Sequence, residues 1–491
     1  MLRHFYPRFS RWLSTCSQPF TVNELIKQTA PLDVHLNVSW LLKNWLFLKS
    51  LLDGYPLTNY IPLIQFQGWV QRSQKRGKVI FLHISDGLTP DTVQVVVSKD
   101  ICASVPIGSA VSVYGHWKAS AGSQQHMELV ADKCKVEAFD VNARYDDLSP
   151  DQLRKNLHLR SRSSSFAALL RIRSRLILEI HKFFMERNYI HIDAPIITAN
   201  DCEGAGETFS VAFYSHYIYI YYVTDRAMII EAYLEFSLTI FISGISRVYT
   251  IGGGFRAEKQ QSSNHLSEFR MLEVELAFCK VNICTITEDF VRHCILLVLE
   301  DISISRDFKT LGAFSSENHM RTLKSILTCS NIFPRLRYDE AVAILVKKKQ
   351  NMTGNGLNKQ NELFLVDYCK SPVFITNFPI HQKPFYMKHT ADGQKTESFD
   401  LLCPIVGELA GGSVREPSAD VLRLQGANID WLVFTSFVFI CLKNTYFVKV
   451  LGWTLSWQAY ICGIWYWIRA SFTSFVRSQK YQRYDSISSM V

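Results

Sequence analysis

The chain has 491 residues and a formal net charge of +9, with 48% hydrophobic and 20% charged residues. That balance is ordinary for a soluble globular protein and leaves room for two or three domains and a substantial core, while the positive charge suits a polyanionic partner. Its 12 cysteines are scattered with no C-x-x-C pair, which excludes a disulfide scaffold and a zinc ribbon and fits reduced, mostly buried thiols.

The first twenty residues, MLRHFYPRFSRWLSTCSQPF, carry Arg3, Arg8 and Arg11 among aromatics and Ser/Thr, and no acid precedes Glu24. This is the composition of a mitochondrial presequence over 1–20; Arg8 and Arg11 interrupt the apolar stretch that a secretory signal needs. The matrix is the expected compartment, with the cytoplasm as the alternative. Residues 35–61 insert an apolar, Trp-containing run. Residues 62–138 then read as five short strands with Gly77, Gly87, Pro90, Gly108 and Gly122 at the breaks, a pattern that suits a small closed barrel such as an OB-fold, or a sandwich.

The stretch 139–165, containing DDLSPDQLRKNLHLRSRSSS, is polar and basic and reads as a hinge. From 166 to 425 the chain alternates helical and strand-like segments, starting with FAALLRIRSRLILEIHKFFMERNY at helical spacing and a stop at Asn188. A large antiparallel α+β domain follows from that mixture. Two stretches break the pattern: FYSHYIYIYY at 213–222, and 432–491, which is crowded with aromatics but has no period. Its longest apolar runs fall short of the roughly 18 residues that span a bilayer, so no membrane association is expected.

The densest chemistry lies in RVYTIGGGFRAEKQQSSNHLSEFRMLEVELAF, residues 247–278. Arg256 and Glu258 are two apart and share a strand face, and His265 and Phe269 repeat that logic across a polar loop. A guanidinium fork can grip a phosphate, and a Phe ring can stack a purine. F-R-x-E, a loop, then H-x-x-x-F resembles motif 2 of the class II aminoacyl-tRNA synthetases. The resemblance implies ATP as a substrate: Arg256 on the α-phosphate, Glu258 towards adenine, His265 on the outer phosphates and Phe269 stacking the base, with Arg256 and Glu258 at the reacting centre.

NYIHIDAPIITANDCEGAGETFSV, residues 188–211, resembles motif 1, with Pro195 at its proline, followed by a mobile amino-acid loop. In the family motif 1 builds the dimer, so a homodimer is expected. D-C-E-G-A-G-E-x-F is similar to a signature of the asparaginyl members, which assigns Glu203 to the substrate's amino group. In residues 372–416, Asp400 and Glu408 are hard oxygen ligands of the kind that suit Mg²⁺ bridging phosphates. G-E-L-x-G-G-S-x-R-E resembles the family segment in which the Glu binds metal and the Arg, here Arg415, reads the substrate side chain. Glu273 stands where asparaginyl members are similar. A carboxylate there can accept from the amide NH₂ of asparagine, which aspartate lacks.

In the barrel the resemblance places Phe81 and Gln94 on the anticodon's middle base, although residue type alone would put Phe81 in the core and Gln94 outside. The expected fold is therefore α+β, an N-terminal OB-fold barrel followed by a class II antiparallel-sheet catalytic domain. The expected function is tRNA asparaginylation with ATP and Mg²⁺. Aspartate specificity, a non-catalytic tRNA-binding relative and an amidotransferase-type asparagine synthetase are the alternatives, and the barrel argues against the last. Two departures stand out. YVTDRAMIIEAYLEFSLTIF keeps Glu231 and Ala232 but lacks the family's Gln for the amino group, and no glycine-rich motif 3 ending in Glu-Arg follows Arg415. Residues 432–491, with 213–222, read as sequence foreign to the fold, of the kind a retained intron or a shifted frame supplies.

Overall fold

The structure, a computed structural model, describes residues 19–27, 64–122, 125–139, 148–193, 197–198, 209–210, 229–230, 241–242, 244–255, 268–278, 282–311, 317–328, 332–350, 356–424 and 446–450. The chain divides into two compact units, Met1–Arg171 and Ile172–Val491. Residues 35–61 and 213–222 lie outside the described residues, as does the presequence apart from Pro19 and Phe20.

The first unit opens with a short helix, α1 (Val22–Ile26), started by a reciprocal cap between Thr21 and Glu24. Phe20 forms a bridge with Phe66, and Val22 and Leu25 are buried in the core of a five-stranded barrel. The barrel strands are β1 (Ile64–Arg76), β2 (Val79–Ser85), β3 (Val93–Ser98), β4 (Ala110–Ala119) and β5 (Met127–Ala138), closed in the order β1-β2-β3-β5-β4. Closure settles the barrel against the sandwich. In β3, Val93, Val95 and Val97 point inward while Gln94 and Val96 face out, the period-2 alternation of a half-buried strand. Beyond the barrel, the stretch read as a hinge holds two short helices, α2 (Pro150–Lys155) and α3 (Leu157–Arg160).

Helix α4 (Ser164–Met185) follows and stops where the sequence indicates. Asn188 takes a left-handed conformation with φ 59°, and the Tyr189 N–H closes back on the Phe184 carbonyl at 3.0 Å. The second unit is built on strands β6 (Ile190–His191), β7 (Ile197–Thr198), β8 (Phe209–Ser210), β9 (Ile229–Ile230), β10 (Arg247–Phe255), β11 (Glu268–Leu276), β12 (Arg335–Arg337), β13 (Val373–Thr376), β14 (Ser398–Cys403), β15 (Gly407–Val414) and β16 (Tyr446–Val450). Its helices are α5 (Ile283–Glu300), α6 (Ile302–Thr310), α7 (Glu317–Thr328), α8 (Tyr338–Lys347), α9 (Lys359–Cys369) and α10 (Ala419–Leu424). An eight-stranded sheet runs β12-β13-β14-β15-β16-β11-β10-β6, and β7-β9-β8 form a small second sheet. The large sheet is antiparallel except at its two edges, where β6 pairs with β10 and β12 with β13 in parallel.

An aromatic cluster ties α4 to the sheet and to α5. Phe184 stacks on Tyr249 at 4.8 Å, and Phe183 meets Phe290 edge-on at 5.3 Å. Although 432–491 reads as foreign to the fold, β16 comes from within it and takes a place between β15 and β11. The remainder of that stretch lies outside the described residues.

Phe66 is fully buried at the centre of the barrel. Phe66→Ala is expected to destabilise the barrel by about 3–5 kcal/mol, seen as a lowered thermal or urea midpoint in the full chain.

Candidate active site

One row of cross-strand partners organises the large sheet. Asp400 on β14 pairs with Gly411 on β15, Gly411 with Lys449 on β16, Lys449 with Glu273 on β11, and Glu273 with Thr250 on β10. Directly opposed residues share a face, so Asp400, Glu273 and Thr250 belong to one side of the sheet. Alternation along β11 adds Phe269, Met271 and Glu275 to that side, while Leu272, Val274 and Leu276 are buried on the other. The run E-V-E thus sends two carboxylates one way and apolar side chains the other. Gly411 and Glu273 are two strands apart, about 10 Å at the usual strand spacing.

Glu273 and Glu275 are both wholly buried, at 0% exposure. One cation nearby among the described residues is Arg415, itself 7% exposed, whose Nη2 lies 3.5 Å from Glu275 Oε1. The Arg415 guanidinium also lies over the ring of Tyr386, 4.3 Å from its centroid. A backbone bridge from Arg415 to Met387 holds these segments together. Arg415 and Glu273, the two side chains assigned to the amide, therefore belong to one region of one sheet face. Glu275 and Tyr386 were not singled out in the sequence. The E-V-E alternation was the available signal for Glu275, whereas no local signal marks Tyr386.

Asp400 and Glu408 converge above Gly411. An ideal β-carbon at Gly411 would lie 3.3 Å from Asp400 Oδ1 and 3.5 Å from Glu408 Oε1. A side chain there would crowd both carboxylates, and glycine leaves the cradle open. These are hard oxygen donors facing a common point, so the residues present fit a divalent cation. Among the described residues no three His, Cys, Asp or Glu side chains converge on one metal position, so other oxygen donors would have to complete the coordination.

Lys383 was also missed. Its Nζ donates to Asp400 Oδ1 and Oδ2 at 2.7 and 2.8 Å, a contact across 17 residues that no sequence pattern announces. Burial pushes the Asp400 carboxyl up from the usual range, and Lys383 opposes the shift. Glu362 on α9 accepts the Glu408 backbone N–H at 3.0 Å. Its own carboxyl is likewise raised by burial, against the pull of that hydrogen bond and of Lys359. Glu362, Lys383, Asp400 and Glu408 line a cavity of about 380 Å³ together with Phe378 and Leu402.

Phe269 lies half-buried on β11 opposite Gly254. A β-carbon at Gly254 would come within 2.9 Å of the Phe269 ring, so the glycine run of β10 lets the ring approach the backbone. Arg256, Glu258, His265 and Glu203 lie outside the described residues.

In the barrel, Phe81 on β2 and Gln94 on β3 share the outer face, since their neighbours Ile80, Leu82, Val93 and Val95 point inward. Placing Phe81 in the core by residue type is therefore wrong: strand parity turns it outward. Phe81 pairs with Gln74 and Val96, and His83 with Arg72 and Gln94. Burial, then Arg72, lowers the His83 pKa, so its imidazole is neutral near pH 7. Gln94 Nε2 donates to Glu128 Oε2 at 3.0 Å. An aromatic plate edged by amide and imidazole groups can stack and edge-read a single-stranded base.

Comparison with known proteins gives two family matches. The family described as tRNA synthetases class II (D, K and N) matches residues 149–428, and the OB-fold nucleic acid binding domain matches residues 64–137. An asparaginyl-tRNA synthetase of Mus musculus is 33% identical over 386 residues, 73% of this chain and 78% of that protein. The asparagine–tRNA ligase of Mycoplasma genitalium is 32% identical over 429 residues, 82% of this chain and 92% of the relative. Among solved structures, asparaginyl-tRNA synthetase from Pyrococcus horikoshii complexed with asparaginyl-adenylate superposes with a TM-score of 0.71 at 25% identity. That superposition covers 83% of this chain and 93% of the other. An aspartyl-tRNA synthetase from Entamoeba histolytica shares the fold, with a TM-score of 0.64 at 16% identity, covering 82% of this chain and 86% of the other.

Burial pushes the thiols of Cys134 and Cys284 up to about 11, so both stay protonated at pH 8 and are poor nucleophiles. Iodoacetamide at that pH is expected to alkylate both far more slowly than free cysteine, as read by mass spectrometry of the native protein.

Proposed function

The chain belongs to the class II tRNA synthetases of the D, K and N group, a family of ATP-dependent ligases, and from that premise we propose that it attaches asparagine to the asparagine tRNA. The observation that carries the choice of amino acid is the shared sheet face of Glu273 and Arg415. Arg415 can donate to a side-chain oxygen, which asparagine and aspartate both possess. Glu273 can accept from an NH₂ group, which asparagine alone presents. Facing aspartate, the same buried carboxylate would meet a second carboxylate with no proton between them, and that arrangement is expensive in a dry site.

In the first step the asparagine carboxylate oxygen attacks the α-phosphorus of ATP. Pyrophosphate leaves, and asparaginyl-adenylate remains. In the second, a terminal ribose hydroxyl of the tRNA attacks the acyl carbon and AMP departs. No protein nucleophile is needed; the residues orient the reactants and offset charge. Phe269 would stack adenine beside Gly254. Arg256, which follows directly on β10, would hold the α-phosphate, with Glu258 towards adenine and His265 on the outer phosphates. Glu203 would take the amino group. Asp400 and Glu408 would hold Mg²⁺, which when bound neutralises phosphate charge, and Lys383 must release part of Asp400 for that to happen.

The outer face around Phe81 and Gln94 supports recognition of the anticodon. A homodimer is supported by Ile190 on β6, 50% exposed within the segment that resembles motif 1, and by Leu178 and Met185 on the preceding α4, 54% and 64% exposed; light scattering at twice the chain mass checks it. The Arg-rich, acid-free start supports residence in the mitochondrial matrix, and no helix among the described residues is long and apolar enough to cross a membrane.

A second reading, a relative that binds tRNA without activating an amino acid, is favoured by the family match ending at residue 428. It also fits the absence of a Glu-Arg motif 3 from the sequence. ATP–pyrophosphate exchange decides between the two. Exchange driven by asparagine in preference to aspartate on the order of 10⁴-fold is the expected result. Equal exchange would remove the amide assignment, and none with either amino acid would favour the second reading. Phe81→Ala is expected to weaken tRNA binding by about 1–3 kcal/mol in a filter assay, leaving exchange unaltered.

A further inference from the structure

We infer that Lys383 is a built-in counter-cation that bars divalent metal from the acidic cradle until nucleotide phosphate is present; this rests on the reading of Asp400 and Glu408 as that cradle. The Lys383 ammonium donates to both oxygens of Asp400, at 2.7 and 2.8 Å. The Lys383 and Asp400 side chains are only 16% and 13% exposed, so little water screens the contact. A second cation reaching that carboxylate has to share its oxygens with an ammonium of like charge. Metal binding and the Lys383 contact therefore oppose each other.

The ammonium is held in place by more than Asp400. Its Nζ also lies 4.0 Å from the centroid of the Phe378 ring, a side chain that is itself buried. The backbone reaches this point through a single 3₁₀ turn, Ile380–Gln382. The Lys383 N–H closes that turn on the Ile380 carbonyl at 3.2 Å, and Gln382 Nε2 donates to Tyr338 Oη at 3.1 Å. Phe378, Lys383, Asp400 and Glu408 all line the one cavity. The ring thus offers the ammonium a second resting surface, and letting go of Asp400 does not cost all of its stabilisation.

A purely structural ion pair would use the same two residues, and the balance of forces separates the two readings. A divalent ion attracts a carboxylate twice as strongly as an ammonium at equal distance, but Mg²⁺ gives up its bound water reluctantly. Among the described residues no third His, Cys, Asp or Glu converges with the cradle to compensate. Against so sparse a donor set the resident ammonium keeps its place. Nucleotide phosphates alter that balance, because they bring oxygen donors for the metal and anionic partners for the ammonium. Lys383 thereby couples metal entry to nucleotide.

The test measures Mn²⁺ binding to the full-length chain without nucleotide, by loss of the free-ion EPR signal, in wild type, Lys383→Met and Lys383→Arg. Lys383→Met is expected to tighten Mn²⁺ binding about tenfold, the low end of what neighbours of metal ligands exert. Lys383→Arg, whose fork grips a carboxylate at two points, is expected to bind no tighter than wild type. Thermal melts of the same samples give a second readout. Mn²⁺ alone is expected to raise the midpoint of Lys383→Met but not of wild type. Mn²⁺ with α,β-methylene-ATP, which cannot lose pyrophosphate, is expected to raise both. Equal or weaker Mn²⁺ binding in Lys383→Met would overturn the inference and leave Lys383 a structural partner of Asp400. If Lys383→Met does not fold, the inference is overturned by tighter binding in Lys383→Arg, or by a wild-type midpoint that Mn²⁺ alone raises as far as Mn²⁺ with the analogue. A wild type that gains nothing from Mn²⁺ even with the analogue would instead remove the metal reading of the cradle, and this inference with it.

Discussion

Glu273 and Glu275 occupy neighbouring positions on one side of β11, shut away from solvent, and two carboxylates so placed must be matched by positive charge from another part of the chain. Arg415 supplies it from the end of β15. For that contact to form, β15 has to lie two strands from β11 in the observed register, which in turn sets Gly411 in the row of Glu273 and Asp400. Glu273 and the acidic cradle are thus fixed relative to each other by one set of ladder hydrogen bonds. On the reverse side Leu272, Val274 and Leu276 are buried, so each strand serves chemistry and stability on alternate residues.

The barrel uses the same alternation for a different end. Its interior is filled by side chains, among them Val93, Val95, Val97, Ile80, Leu82 and Phe66, as is usual for a barrel of this size. The outside carries the polar and aromatic groups, with Phe81, His83, Gln94 and Arg72 on adjacent strands. A surface of this kind holds a base by its face and its edge without a deep pocket.

Much of this is legible in the sequence. The alternation V-Q-V-V-V-S announces β3, Asn188 marks the end of α4, and the spacing of Asp400, Glu408 and Arg415 places them on one hairpin. What stayed hidden depends on contacts between distant segments. Barrel and sandwich differ here in the parallel pairing of β3 with β5, through Val95 and Leu129, which leaves no local trace. Phe81 is misjudged by residue type because its direction follows from the parity of Ile80 and Leu82, not from its own hydrophobicity. Lys383 reaches Asp400 only through the fold. β16 is drawn from a stretch read as aperiodic, yet Tyr446, Phe447, Val448 and Val450 are residue types that favour strands, and neighbours on both sides supply its pairing.

The anchoring of α1 sets where the barrel begins in the chain. Phe20 bridges to Phe66, the Val22 N–H donates to Asp86 at 2.8 Å, and Val22 and Leu25 are buried in the barrel. The barrel core therefore draws on the chain from Phe20 onward. Cleavage on the amino-terminal side of Pro19 spares every one of these contacts, whereas a cut after Leu25 would open the barrel core to water. Five residues of helix thus complete a core that the five strands alone would leave two apolar side chains short.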